Sequence, residues 1–300
     1  MKYLTNLPLL LTVGFFLGCW TKAKADDLGV YLGQHDYCVA QVDNSEKNRE
    51  VVRATINGRD VSLIVDTGAP RTILTAACAR HLGLEVHDTG EKAGGVGGLV
   101  GKGTEGIALI NSFRLNHIDI NRTNTILVLP KTISWDVADG LLGFDYLNLN
   151  AALLPVGGSF FLFKPGTRPV PEIGTFMERH GFRAIPVRYD KGGYRLEGSM
   201  NGHPLSLIVD CGAAFSTFDL LYIKQTVEAS PPLLDGRKLE EYGFTPRQFS
   251  LGSFLVRPIE LGAVASPYFS GEGVNALLGY DILGTHDAII DMGHSILWMK

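Results

Sequence analysis

The sequence predicts an all-β protein built from two copies of one unit. Three observations carry that prediction. First, Asn57 to Ala69 reads NGRDVSLIVDTGA and Asn201 to Ala213 reads NGHPLSLIVDCGA, so an Asn-Gly turn, an apolar strand and an Asp-x-Gly-Ala corner recur 144 residues apart. Second, Asp139 to Lys164 (DGLLGFDYLNLNAALLPVGGSFFLFK) aligns without a gap with Asn275 to Lys300 (NALLGYDILGTHDAIIDMGHSILWMK). Third, the chain is a series of short apolar runs broken by turns, with 36 glycines in 300 residues, which suits a sandwich or barrel rather than a parallel α/β sheet. A repeat at fixed offset means one structural unit used twice.

In chain order, residues 1–25 read as a signal peptide. Lys2 supplies a basic start, Leu7 to Leu17 an apolar stretch too short to span a bilayer, and Ala23-Lys24-Ala25 a small-x-small cleavage site. Phe16-Leu17-Gly18-Cys19 offers an alternative, a lipoprotein box with Cys19 lipidated. Either way the chain is expected to be exported, periplasmic or secreted, touching membrane only through the signal peptide or that lipid.

The first unit spans 37–164. Tyr37 to Val42 and Val61 to Val65 read as strands, the second ending at Asp66. Thr75 to Leu82 reads as a short helix, and Ile107 to Ile110, Thr125 to Leu129 and Phe160 to Phe163 as further strands. Residues 165–181 carry Pro165, Pro169 and Pro171, which predicts a connector without regular structure. The second unit, 182–300, repeats the order: strands Phe182 to Val187 and Leu205 to Val209, the Asp210 corner, a short helix over Asp219 to Val227, and a final strand Ile296 to Met299.

Composition excludes several classes. A hydrophobic content of 45% over this length supports a sizeable core. A net charge of −4 gives no electrostatic case for nucleic acid. After cleavage only Cys38, Cys78 and Cys211 remain, and the sequence has no C-x-x-C or H-E-x-x-H spacing, so neither metal nor cofactor is expected.

The two corners point to a chemistry. Gly68 and Gly212 are expected to let the chain turn sharply, to allow two backbones to approach, and to aim Asp66 and Asp210 outward. If the units pack about a pseudo-twofold axis, the two carboxyls meet and hold one proton between them. The ionised member can then act as general base on a water, and the protonated one can polarise a carbonyl and protonate a leaving amine.

These residues resemble the bacterial retropepsin-like aspartic proteases, with two retropepsin-like units in one chain laid out as in pepsin. The resemblance rests on Asp66-Thr67-Gly68-Ala69 with Asp210-Cys211-Gly212-Ala213, and on Leu141-Leu142-Gly143 with Leu277-Leu278-Gly279. It implies two acid-protease-type closed β-barrel lobes with a cleft between them, and catalysis by Asp66 and Asp210. It further implies that Thr67, Gly68, Cys211 and Gly212 brace the loops, and that Leu142, Gly143, Leu278 and Gly279 support them. Gly94 to Gly103, including Gly95, Val96, Gly97 and Gly98, falls where the family has its flap. The implied activity is that of an exported aspartic endopeptidase, a monomer acting on a peptide or protein. The alternative is a catalytically silent peptide-binding or scaffold protein that keeps the fold.

Two departures shape the expectation. Cys211 replaces the family's Thr or Ser; a thiol is a weaker partner, so that side of the lock is expected to be looser. It reads either as a redox-sensitive position or as a small buried residue. Alanine at 69 and 213 removes a hydroxyl donor to the dyad, which predicts activity at mildly acidic to near-neutral pH. Asp145 and Asp281 also repeat and read as structural, capping a short helix.

Overall fold

The computed structural model describes residues 29–44, 48–92, 104–120, 123–130, 138–165, 171–226 and 241–300. The signal peptide with Cys19, and the Gly94 to Gly103 stretch, lie outside these residues.

Each unit folds from the same seed, a hairpin closed by an Asn-Gly turn. Strands Val51–Ile56 and Arg59–Val65 pair antiparallel, as do Gly193–Met200 and His203–Val209. Asn57 and Asn201 both have φ 50°, and Gly58 and Gly202 have φ 77° and 84°. Two successive left-handed residues make the tight turn whose twist matches a hairpin, and Asn and Gly are the residues that tolerate it.

The strand order beyond the hairpin is the same in both lobes. In the first lobe Arg59–Val65 is followed by Gly140–Leu142, Ile73–Leu74, Thr125–Val128 and Thr104–Leu109. In the second, His203–Val209 is followed by Ala276–Leu278, Thr217–Asp219, Leu261–Val264 and Glu241–Phe244. Both lobes are curled sheets. Two parallel pairings, Gly140–Leu142 on Leu63 to Val65 and Ala276–Leu278 on Leu207 to Val209, bring each Leu-Leu-Gly beside its Asp corner. The expected short helices form at Ala76–His81 and Leu220–Thr226.

A third layer joins the lobes. Arg183–Pro186, Ile296–Met299 and Ile289–Asp291 from the second unit continue into Leu153–Pro155, Phe160–Phe163 and Cys38–Asp43 from the first, a six-stranded antiparallel run. At its centre Leu154 pairs with Ile290, its own counterpart in the repeat. The pseudo-twofold axis therefore passes between these two residues. One buried cluster runs through both lobes, from Val52 and Leu63 to Leu207 and Leu278.

The connector differs from expectation. Gly174–Arg179 is a helix within 165–181, with Met177 buried. The three prolines all precede it, so they limit where the helix begins without preventing it. With Ile173 and Phe182, Met177 packs against Leu32, Tyr37 and Trp298. The segment before the first strand is therefore anchored to the joining sheet.

Candidate active site

Asp66 and Asp210 sit where the hairpin's second strand leaves its sheet. The Asp66 N–H donates to Leu142 O (3.0 Å) and the Asp210 N–H to Leu278 O (3.0 Å). Beyond each corner the chain is recaptured: Phe144 N–H donates to Ala69 O and Tyr280 N–H to Ala213 O, both at 2.8 Å. The Leu-Leu-Gly strand thus holds the corner on both sides of the aspartate.

The glycines matter through contact. Neither Gly68 nor Gly212 has a positive φ, so the sharp-turn reason does not apply. A Cβ on Gly68 would lie 2.3 Å from Asp210 Cγ, and one on Gly212 would lie 2.4 Å from Asp66 Cγ. Each glycine leaves the space that the opposite carboxyl fills. Gly143 and Gly279 serve likewise: a Cβ there would lie 2.4 Å from Arg71 C and 2.6 Å from Phe215 C.

The two carboxyls are neighbours, each filling the space beside the opposite glycine and each acting on the other's titration. Both residues keep partial exposure. Burial pushes both above the ordinary aspartate range; Asp210, which also feels the Asp66 charge, is pushed up further. Asp66 Oδ1 accepts from the N–H of Gly68 (2.8 Å) and Ala69 (2.9 Å), and Asp210 Oδ1 from Ala213 N–H (2.9 Å). The arrangement favours one proton shared by the pair, with the titration belonging to both residues together.

Behind the carboxyls, the loops lock across the lobe boundary. Thr67 Oγ1 donates to Val209 O (2.9 Å) and accepts from Cys211 N–H (3.0 Å). On the other side, Cys211 Sγ donates to Val65 O at 3.5 Å. The thiol therefore makes the bond a hydroxyl would make, at the longer distance of sulfur. Cys211 is 1% exposed, and burial drives its pKa well above the usual thiol value. A thiol without solvent access or thiolate character is a poor redox target, so the small-buried-residue reading of Cys211 holds over the redox-sensitive one.

Several residues escaped sequence reasoning. Thr72 and Ser216 are buried hydroxyls six residues after each aspartate. Asp145 Oδ1 accepts from Thr72 N–H (2.8 Å), Thr72 Oγ1 (2.7 Å) and Tyr146 N–H (2.8 Å). Asp281 Oδ1 accepts from Ser216 N–H (2.8 Å), Ser216 Oγ (2.6 Å) and Ile282 N–H (2.8 Å). Thr72 Oγ1 and Ser216 Oγ in turn accept from the N–H of Gly143 (3.0 Å) and Gly279 (2.8 Å). Asp145 and Asp281 are thus structural but are not helix N-caps, a position taken by Gly143 and Gly279. They tie the Asp corner to the Leu-Leu-Gly strand. The signal was present as a repeated hydroxyl in DTGAPRT and DCGAAFS.

Glu50 was also missed. It is 2% exposed, its Oε1 accepts from Gly157 N–H, and burial pushes it up to about 7. Its counterpart in the repeat is Tyr194, whose hydroxyl donates to Met292 O (3.1 Å), so the two positions share a place but not a chemistry. The strands on either side in sequence of the expected flap, Val86–Lys92 and Thr104–Leu109, pair antiparallel, and the flap residues themselves lie outside the described residues.

Among solved structures, the chain matches the crystal structure of aspartic proteinase from Irpex lacteus, with a TM-score of 0.54 over 88% of this chain and 96% of that one. The chain has the aspartic-proteinase fold. Identity to that structure is 16%, so the likeness speaks for fold alone. Residues 52–149 match the family model described as "gag-polyprotein putative aspartyl protease". No curated protein matches the sequence. The resemblance to retropepsin-like aspartic proteases therefore rests on the sequence of the first lobe and on the aspartic-proteinase fold of the whole. In that fold the corners of this chain differ from one another at Thr67 and Cys211, yet both sides of the lock are closed.

Proposed function

We propose that this protein is an exported aspartic endopeptidase, active as a single chain, in which Asp66 and Asp210 hydrolyse peptide bonds by activating water. The observation that carries the reading is the mutual fit of the corners. Each glycine leaves room for the opposite carboxyl, which brings the two carboxyls close enough to act on each other's titration.

Asp66, ionised and held by two backbone N–H groups, takes a proton from a water bound at the pair as the water attacks the peptide carbonyl carbon. Asp210, protonated, donates a hydrogen bond to the carbonyl oxygen as charge develops there. Collapse of the tetrahedral intermediate breaks the C–N bond, and the amine leaves with a proton from the pair. The lock between Thr67 and Cys211 keeps the carboxyls in register, and a displacement of about 1 Å at such a site costs on the order of a hundredfold in rate.

The test is peptide cleavage by purified protein across pH 3 to 8, with Asp66→Asn and Asp210→Asn alongside. The peptidase reading expects cleavage by the wild type and a loss of at least about a thousandfold in either variant. Absence of cleavage, with retained binding of a non-cleavable peptide, would instead mark a silent peptide-binding protein.

A further inference from the structure

A small apolar cluster lies on the face of the C-terminal lobe that borders Asp210. Within His203–Val209, Leu207 and Val209 point into the main core, whereas Ile208 points to the opposite face. Ile208 pairs with Leu277, which precedes the Leu278 carbonyl that receives the Asp210 N–H. Paired residues of neighbouring strands share a face. On that face Ile208, Leu277, Phe269 and Val274 form a separate cluster, and Tyr268 covers it while remaining partly exposed.

The helix bearing Tyr268, Pro267–Glu272, is fixed at three points. Ser266 Oγ accepts from Tyr268 N–H (3.3 Å) at its start, and Phe269 is fully buried. At its end Arg195, 5% exposed, donates through Nη1 to Glu272 O (2.9 Å) and through Nη2 to Glu272 Oε2 (2.8 Å). Arg195 also meets Asp190 Oδ2 at 3.3 Å. The ring is therefore held over its cluster by a pinned helix. Burial, then Glu272 and Asp210, raise its phenol to about 12, with a smaller effect from Asp66, so it stays neutral and lies in the field of both dyad carboxyls.

We propose that Tyr268 determines side-chain preference next to the scissile bond. Its ring fills the space through which a large side chain would reach Ile208 and Leu277, restricting the site over the C-terminal lobe to small apolar residues such as Ala or Val. The inference rests on the peptidase reading for its substrate class. Removing the ring opens an apolar pocket with a prepared floor, and one to three extra methylenes in such a pocket shift discrimination by about tenfold or more.

The experiment compares wild type, Tyr268→Phe, Tyr268→Leu and Tyr268→Ala on peptides varied to Ala, Val, Leu and Phe on each side of the scissile bond. Matching reduced-amide peptides are titrated for binding. The expected result is a preference for Ala or Val at one flanking position in the wild type and in Tyr268→Phe. At that position alone, Tyr268→Ala should shift kcat/KM by about tenfold or more toward Leu or Phe, with Tyr268→Leu intermediate. Cleavage by the wild type with an unchanged preference in Tyr268→Ala, or a shift at both positions, overturns the inference and leaves the peptidase reading standing. If the wild type cleaves nothing, the peptidase reading fails and the reduced-amide affinities decide: a shift confined to Tyr268→Ala and Tyr268→Leu upholds the role of the ring, and equal affinities or no binding reject it. Should Tyr268→Ala not fold, the same comparison between Tyr268→Leu and Tyr268→Phe decides: a shift in Tyr268→Leu alone upholds the role of the ring, and matching preferences reject it.

Discussion

Thr67 and Cys211 occupy equivalent corners and hold each other's loops: the threonine hydroxyl receives the Cys211 N–H and donates to Val209 O, while the cysteine thiol donates to Val65 O. Sulfur closes the exchange at 3.5 Å, against 2.9 Å for the hydroxyl. Cys211→Ser should therefore preserve the fold and the proposed peptidase activity, with stability changed by no more than about 1 kcal/mol. Cys211→Ala, which removes the donor, should cost roughly 1 kcal/mol and lower kcat. Thiol labelling of the native protein provides a second check: Cys38 should react first, and Cys211 only on unfolding. Rapid alkylation of Cys211 in the folded state would refute its assigned burial.

Gly68→Ala and Gly212→Ala should behave unlike ordinary glycine substitutions in a loop. With φ unrestricted, the penalty comes wholly from the Cβ meeting the opposite carboxyl at 2.3 or 2.4 Å. Overpacking of this kind costs about 1–3 kcal/mol, and moving a dyad carboxyl should reduce kcat by about a hundredfold or more. Melting curves and single-turnover rates on the two variants test this, and near-normal rates in both would contradict the observed contact.

Glu50 gives the stability a pH slope of known sign. Its ordinary pKa of 4.5 rises to about 7 in the folded protein, so the native state holds this proton more tightly than the unfolded chain. The contribution is complete below about 4.5 and is lost as pH rises through about 7, amounting to roughly 3 kcal/mol. Glu50→Gln keeps an acceptor for Gly157 N–H and removes the titration. Urea unfolding between pH 4.5 and 8 should show the variant equal or slightly weaker at the acid end and more stable than wild type at pH 8.

Ala69 and Ala213 contribute only backbone N–H groups to the dyad. With both carboxyls raised by burial, the single-proton state of the pair should persist toward neutral pH, and the activity profile should peak above about pH 4. Ala69→Ser, by adding a donor to the charged form, should move the profile toward acid by up to about one unit. A wild-type optimum below about pH 3, or an alkaline shift in Ala69→Ser, would count against this account.

Much of the architecture was legible because the same segments occur twice in the sequence. The Asn-Gly hairpins, the Asp corners and the Leu-Leu-Gly strands stand out as matched words. The joining sheet was not legible. Its strands come from the ends of both units, and nothing in the apolar run Phe160–Phe163 says that it pairs with Cys38–Asp43. The role of Gly68 and Gly212 was only half readable, since permissive backbone and close approach leave the same letter in a sequence. Glu50 left no repeat to read, because its counterpart is a tyrosine. Tyr268 required knowing that Ile208 faces away from Leu207 and Val209.

The pairing of Leu154 with Ile290 reaches beyond catalysis. A single unit expressed alone would end in an open strand edge at Leu153–Pro155, the kind of surface that recruits another chain. Tandem fusion places the complementary edge on the same polypeptide, at a fixed and high effective concentration. The covalent link thus turns an association between equals into an intramolecular one, and frees each half to change where the other does not.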